Sequence, residues 1–124
     1  MAHPDMIILY VDSPAGSADF YAALLNKPPL EASPTFAMFA LDTGLMLGLW
    51  SKHTVAPASS AAGGGGELAF SVASDNEVDT LYASWRRRGL DMIQPPTKLN
   101  FGYTFVAADP DGHRLRVFAP AENA

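Results

Sequence analysis

An internal repeat constrains this chain more than any other feature. One constant offset aligns Ile7, Leu9, Val11, Ser13 and Tyr21 with Leu68, Phe70, Val72, Ser74 and Tyr82. A slightly longer offset aligns Gly44, Leu47, Leu49 and Trp50 with Gly112, Leu115, Val117 and Phe118. Hydrophobic periodicity gives both copies the same order of elements. In the first copy, "MIILYV" reads as a strand and Ser13-Pro14 as a helix start. The helix carries Phe20 and Leu24, and Tyr21 and Leu25, at helical spacing, and Pro28-Pro29 marks its stop. "TFAMFAL" and "LMLGLW" follow as strands joined by an Asp42-Thr43-Gly44 turn. In the second copy, "ELAFSV" is a strand, and "SDNEVDTLYASWRRRG" is a helix with a Ser74/Glu77 capping box. Val78, Leu81 and Trp85 form its core stripe, Arg86, Arg87 and Arg88 match the negative end of its dipole, and Gly89 closes it. "LDMIQ", "YTFVAA" and "HRLRVF" supply three more strands.

The expected fold class is therefore α+β, with a single domain over 1–124 built from two βαβββ modules. The first module spans 1–50, a flexible Ala/Ser/Gly linker spans 51–66, and the second module spans 67–124. Neither half closes its sheet alone. The expectation is that the two pair about a pseudo-twofold axis into a cupped, mostly antiparallel sheet. Each strand would bury one face under a helix and turn the other into the cup. If Ile7, Leu9 and Val11 meet the helix, then Met6, Ile8 and Tyr10 line the cup. Glu67, Ala69 and Ser71, then Met46, Gly48 and Trp50, and finally Arg114, Arg116 and Phe118 join them. "TFAMFAL" is too uniformly apolar to assign, which leaves Phe36 and Phe39 open.

Composition narrows the function. Nearly half of the 124 residues are hydrophobic, which supports a packed core. A formal net charge of −5 lacks the basic footprint of a nucleic-acid binder. With no cysteine there is neither disulfide nor thiolate chemistry, which fits a reducing, cytoplasmic location. The opening residues show no basic segment followed by an apolar run, and no stretch reaches membrane-spanning length. The four glycines at 63–66 lack the following Lys of a phosphate-binding loop, and no serine sits in a nucleophile elbow.

Paired βαβββ modules, "FY" in the first helix and "DPDGH" before the last strand resemble the vicinal-oxygen-chelate superfamily of glyoxalases, extradiol dioxygenases, and fosfomycin- and bleomycin-resistance proteins. The resemblance covers nearly the whole chain and implies the glyoxalase/bleomycin-resistance fold. In that superfamily, metal enzymes place ligands on the first and last strands of each half. The corresponding residues here are Met6, Gly48, Glu67 and Arg116, of which only Glu67 is a ligand type suited to a divalent ion. The expectation is no metal and no other cofactor. "LYVDSPAGSADFYAALLNKPP", "LGLWS" and "FGYTFVAADPDGHRLRVF" are similar to the metal-free branch that binds phenazine antibiotics of the griseoluteate type. This resemblance implies that Trp50 stacks on a flat aromatic ligand and that the protein is a homodimer with ligand sites near the interface.

The leading expectation is a binding protein rather than an enzyme, which sequesters a planar, phenazine-like antibiotic and so confers resistance. Trp50 would be one wall and Phe118, its repeat mate, the other. Met46 would line the cup, Gly48 would leave open room in it or mark a strand kink, Tyr10 would offer a hydroxyl, and Phe101 and Tyr103 would close the mouth or pack at a dimer seam. Arg116 would either grip a ligand carboxylate or pair with Glu67, and the two roles are compatible. Among the histidines, His3 lies at the terminus, His113 is structural, and His53 is placed to cover a ligand. The rival readings are a metal-dependent glyoxalase- or dioxygenase-type enzyme, a cofactor-free enzyme with Glu67 as base, and a ligand-responsive accessory protein.

Overall fold

The computed structural model describes residues 2–121. The chain divides into two compact units that part between Ala61 and Ala62. The first contains β1 (Met6–Val11), α1 (Pro14–Leu25), β2 (Glu31–Ala32), β3 (Phe36–Ala40) and β4 (Met46–Ser51). The second contains β5 (Glu67–Ser71), α2 (Asp75–Arg87), β6 (Asp91–Leu99), β7 (Gly102–Ala108) and β8 (Arg114–Pro120). Each unit is thus a βαβββ module, and the class is α+β. Strand order is β1-β4-β3-β2 in one sheet and β5-β8-β7-β6 in the other, the same topology twice. In each sheet the first and last strands run parallel and the remaining pairs antiparallel.

The first unit buries Val11, Tyr21, Phe39, Leu47 and Leu49 almost completely beneath α1. Pro14 opens that helix, and the Ser13 hydroxyl accepts from the Gly16 amide at 3.1 Å. The helix meets the sheet through Pro14, Ser17, Ala18 and Tyr21, a narrower and smaller-residue face than one centred on Phe20 and Leu24. It also ends before the prolines. Asn26 takes the left-handed conformation at φ 54°, and its amide reaches back to the Ala22 carbonyl. The alternation of β3 settles Phe39 onto the helix face and Phe36 onto the opposite one.

In the second unit the Ser74 hydroxyl accepts from the Glu77 amide at 3.2 Å, the predicted N-terminal cap. Val78 and Trp85 are buried. Trp85 packs edge-on to Phe70 and Phe105 at centroid distances of 5.6 and 5.2 Å. β6 runs on through Pro95 and Pro96, past the end expected from "LDMIQ". It is an edge strand, and its register slips on either side of Gln94, so the prolines interrupt no inner ladder. The "DPDGH" turn is organised by Asp109, only 4% exposed. Its Oδ1 accepts from the amides of Asp111 at 2.9 Å and His113 at 2.8 Å, and Gly112 supplies φ 84°. This turn sets the register of β8 and hence the placement of Arg116.

Ser51 closes β4, so the connecting segment begins after it. Val55 is buried, and its amide bonds the Ser51 carbonyl. Gly63 lies directly against the Asp109 turn. A methyl group there would sit 2.7 Å from the Asp111 carbonyl oxygen and 2.8 Å from His113 Nδ1.

Candidate functional site

Each sheet has one face covered by its helix and one that is not. On the uncovered face of the first sheet, strand register builds three rows. Tyr10, Trp50 and Phe36 form the first, Ile8, Gly48 and Met38 the second, and Met6, Met46 and Ala40 the third. Apart from the tyrosine hydroxyl and the Trp50 indole N–H, every side chain in these rows is apolar. Ile8 is 42% and Tyr10 38% exposed. Phe36 stands edge-on to Trp50 at 6.3 Å. Covering such a surface returns about 25 cal/mol per Å² of apolar area, so a ligand or partner gains by lying on it. Methionines suit this role because the flexible, polarisable thioether moulds to flat rings. Gly48 was expected to leave open room. Instead the Met6 methyl and the Phe36 ring edge occupy it, 2.8 and 3.0 Å from where a Cβ would stand. The glycine therefore lets two neighbours close over the strand.

The equivalent rows of the second sheet have different chemistry. They read Ser71, Phe118 and Thr104, then Ala69, Arg116 and Val106, then Glu67, Arg114 and Ala108. Arg116 occupies the position that Gly48 holds in the first unit, and Phe118 that of Trp50. Arg116 Nε donates to Glu67 Oε1 at 2.5 Å, and its Nη1 donates to Thr104 Oγ1 at 3.1 Å. The Thr104 hydroxyl donates in turn to the Val117 carbonyl at 2.8 Å. The Phe101 ring lies 5.6 Å from the guanidinium carbon and stands edge-on to Phe118 at 6.0 Å. Phe101 is 46% exposed. Glu67, Arg116, Phe101 and Phe118 thus form one cluster, anchored by Thr104. Sequence reasoning missed Thr104, although a lone polar residue inside "YTFVAA" was the available signal.

Tyr103 does not join this cluster. It stands on the helix-bearing face, where its hydroxyl donates to Asp79 Oδ1 of α2 at 2.7 Å. That hydrogen bond holds its phenol above the usual value, with smaller contributions from desolvation and nearby carboxylates. Phe101 and Tyr103 part company at Gly102, where φ is 151° and a Cβ would fall 2.0 Å from the Ala119 carbonyl oxygen. His53 is tied down as well, with Nε2 2.7 Å from Asp12 Oδ1 and Lys52 Nζ 3.9 Å from the same oxygen. The His53 hydrogen bond, followed by the Lys52 charge, holds the Asp12 carboxyl below its ordinary value.

The residues at the positions corresponding to superfamily metal ligands do not fit a divalent cation. Met6 packs its methyl over Gly48, Gly48 has no side chain, and the Glu67 carboxylate is engaged by the Arg116 guanidinium. Among the described residues, no three or more His, Cys, Asp or Glu side chains converge on a potential metal position. Nor is any described helix long and apolar enough to cross a membrane.

This duplicated βαβββ architecture defines a class. The profile of the Glyoxalase/Bleomycin resistance protein/Dioxygenase superfamily matches residues 3–117, and the chain belongs to that superfamily. It is similar to the phenazine antibiotic resistance protein EhpR of Enterobacter agglomerans, with 28% identity over 119 residues, 92% of this chain and 89% of that protein. The solution NMR structure of protein ATC0852 from Agrobacterium tumefaciens is 59% identical, with a TM-score of 0.90 over 98% of this chain and 99% of that one. A glyoxalase/bleomycin resistance protein/dioxygenase from Nocardioides is 25% identical, with a TM-score of 0.82 over 100% of this chain and 88% of that one.

Proposed function

We propose that this protein binds and sequesters a planar, phenazine-like aromatic compound without a metal, and so protects the cell that makes it. The observation that carries the reading is the row Tyr10, Trp50 and Phe36 on an uncovered, apolar sheet face. Such a row offers flat surface for stacking and one hydroxyl for orientation. The second sheet carries a separate feature of its own, an arginine beside Phe101, which in turn stands edge-on to Phe118. The similarity to a phenazine antibiotic resistance protein supports the choice of ligand class. In this reading the protein works in the cytoplasm as a homodimer, as the family resemblance implies.

The test is a titration with phenazine and its 1-substituted derivatives in the presence of chelator. Trp50 fluorescence should quench saturably at micromolar ligand, while the buried Trp85 contributes a constant background. Replacing Trp50 by Leu should weaken binding, followed through ligand absorbance, about three- to tenfold, the equivalent of ~0.5–1.5 kcal/mol of stacking. The ligand should be recovered unchanged after prolonged incubation. Binding that appears only when a divalent metal is supplied, or conversion of the ligand to a product, would refute sequestration.

A further inference from the structure

We infer that Glu67 sets the ligand selectivity of the second sheet's face, by cancelling the charge of Arg116 so that the cluster accepts uncharged aromatic ligands and disfavours anionic ones. The inference rests on the proposed binding of planar aromatics and specifies the polar group that such a ligand carries.

An isolated arginine flanked by aromatic rings is a natural carboxylate receptor. Arg116 is not isolated. Its Nε is taken by Glu67 at 2.5 Å and its Nη1 by Thr104 at 3.1 Å, while Phe101 lies over the guanidinium. A ligand carboxylate arriving here meets the arginine's attraction and the glutamate's repulsion at similar range, and the two nearly cancel. It must still shed its hydration to lie against Phe101 and Phe118, and nothing offsets that cost. An uncharged group with both a donor and an acceptor, such as a primary amide, avoids this conflict. It can donate to a carboxylate and accept from a guanidinium, and it loses less on leaving water. Both charged groups remain within reach, because the Arg116 side chain is 17% and the Glu67 side chain 33% exposed. Thr104 and Phe101 hold the guanidinium independently of Glu67. Removing the negative charge should therefore leave Arg116 in place and turn the same cluster into a carboxylate receptor.

The experiment compares phenazine, phenazine-1-carboxamide and phenazine-1-carboxylate by titration calorimetry at neutral pH, on wild type and Glu67→Gln. Wild type should bind the amide at least about tenfold more tightly than the carboxylate. Glu67→Gln should lower that ratio by about tenfold or more, as expected when a neighbouring like charge is removed. Glu67→Ala should do the same, and serves if the glutamine variant does not fold. The inference is overturned if wild type prefers the carboxylate, or if both variants keep the wild-type ratio. In either case, binding of unsubstituted phenazine would show that the stacking function stands while the assigned selectivity does not. If no phenazine binds wild type at all, the function itself fails and the inference with it.

Discussion

Replacing Gly63 by alanine tests whether the segment leading into β5 is held or free. Its composition suggests a mobile linker, yet a methyl group at 63 would lie 2.7 Å from the Asp111 carbonyl oxygen, 2.8 Å from His113 Nδ1 and 3.0 Å from the His113 amide nitrogen. Ordinary Cβ contacts begin near 3.4 Å, and two of these three atoms are backbone. They belong to a turn that Asp109 fixes through two hydrogen bonds, so they do not yield as a flexible side-chain tip would. Gly63 is not among the residues with positive φ, so the cost is steric rather than conformational. Overpacking of this kind costs about 1–3 kcal/mol. The stiffer unfolded chain that alanine produces offsets about 0.4–1 kcal/mol of it. A net loss near 1–2 kcal/mol corresponds to a fall in Tm of roughly 4–8 °C for a chain of this length. Gly65→Ala is the matched control, since a methyl there meets nothing within 4 Å. Its Tm should hold or rise slightly. If the two variants melt together by calorimetry or circular dichroism, residue 63 does not rest on the Asp109 turn, and the steric argument is wrong.

Asp109→Ala removes a buried carboxylate that accepts from two backbone amides of its turn, and should cost about 2–4 kcal/mol in chemical denaturation. Asp109→Asn keeps an acceptor oxygen and should recover most of that loss. Tyr103 yields a pH dependence. Its folded pKa is raised, chiefly by donation to Asp79, so the bond's contribution is complete below the ordinary phenol value of 10.0 and is lost as pH rises through the higher folded one. Melts of wild type and Tyr103→Phe should therefore differ at neutral pH and converge in strong alkali. A gap that widens with alkali would reverse the assigned sign.

The repeat and both N-terminal helix caps were legible because each is a local pattern with one physical solution. The uncovered faces of β1, β4, β5 and β8 followed from alternation alone. Where alternation carried no contrast, as in "TFAMFAL", only packing could separate Phe36 from Phe39. α1 ends where its sequence pattern does, but on a left-handed Asn26 rather than on the prolines, and β6 was cut short because its edge position tolerates Pro95 and Pro96. Phe101 and Tyr103 were grouped by their nearness in sequence. Gly102, obliged by the Ala119 carbonyl, breaks the two-residue parity between them and sends one to each face. The contents of the space above Gly48 depend on the reach of Met6 and Phe36, which no short-range pattern encodes.

The two copies have diverged on one face and not on the other. Towards their helices, Leu47 and Leu49 correspond to Leu115 and Val117, all four buried, so the packing that makes each unit fold has been kept. On the uncovered faces, Met46 and Gly48 correspond to Arg114 and Arg116, a change from apolar to charged with no counterpart in the core. Folding does not require that change. A sheet face that serves only stability gains from apolar cover, and a guanidinium in its middle demands the carboxylate at 67 and the hydroxyl at 104 that accompany it. Three mutually bonded polar groups, with Phe101 beside the guanidinium, are what the proposed recognition role of this face calls for. The first copy keeps a flat apolar face, while the second carries a polar cluster of its own, so the two faces differ in chemistry although they share a topology.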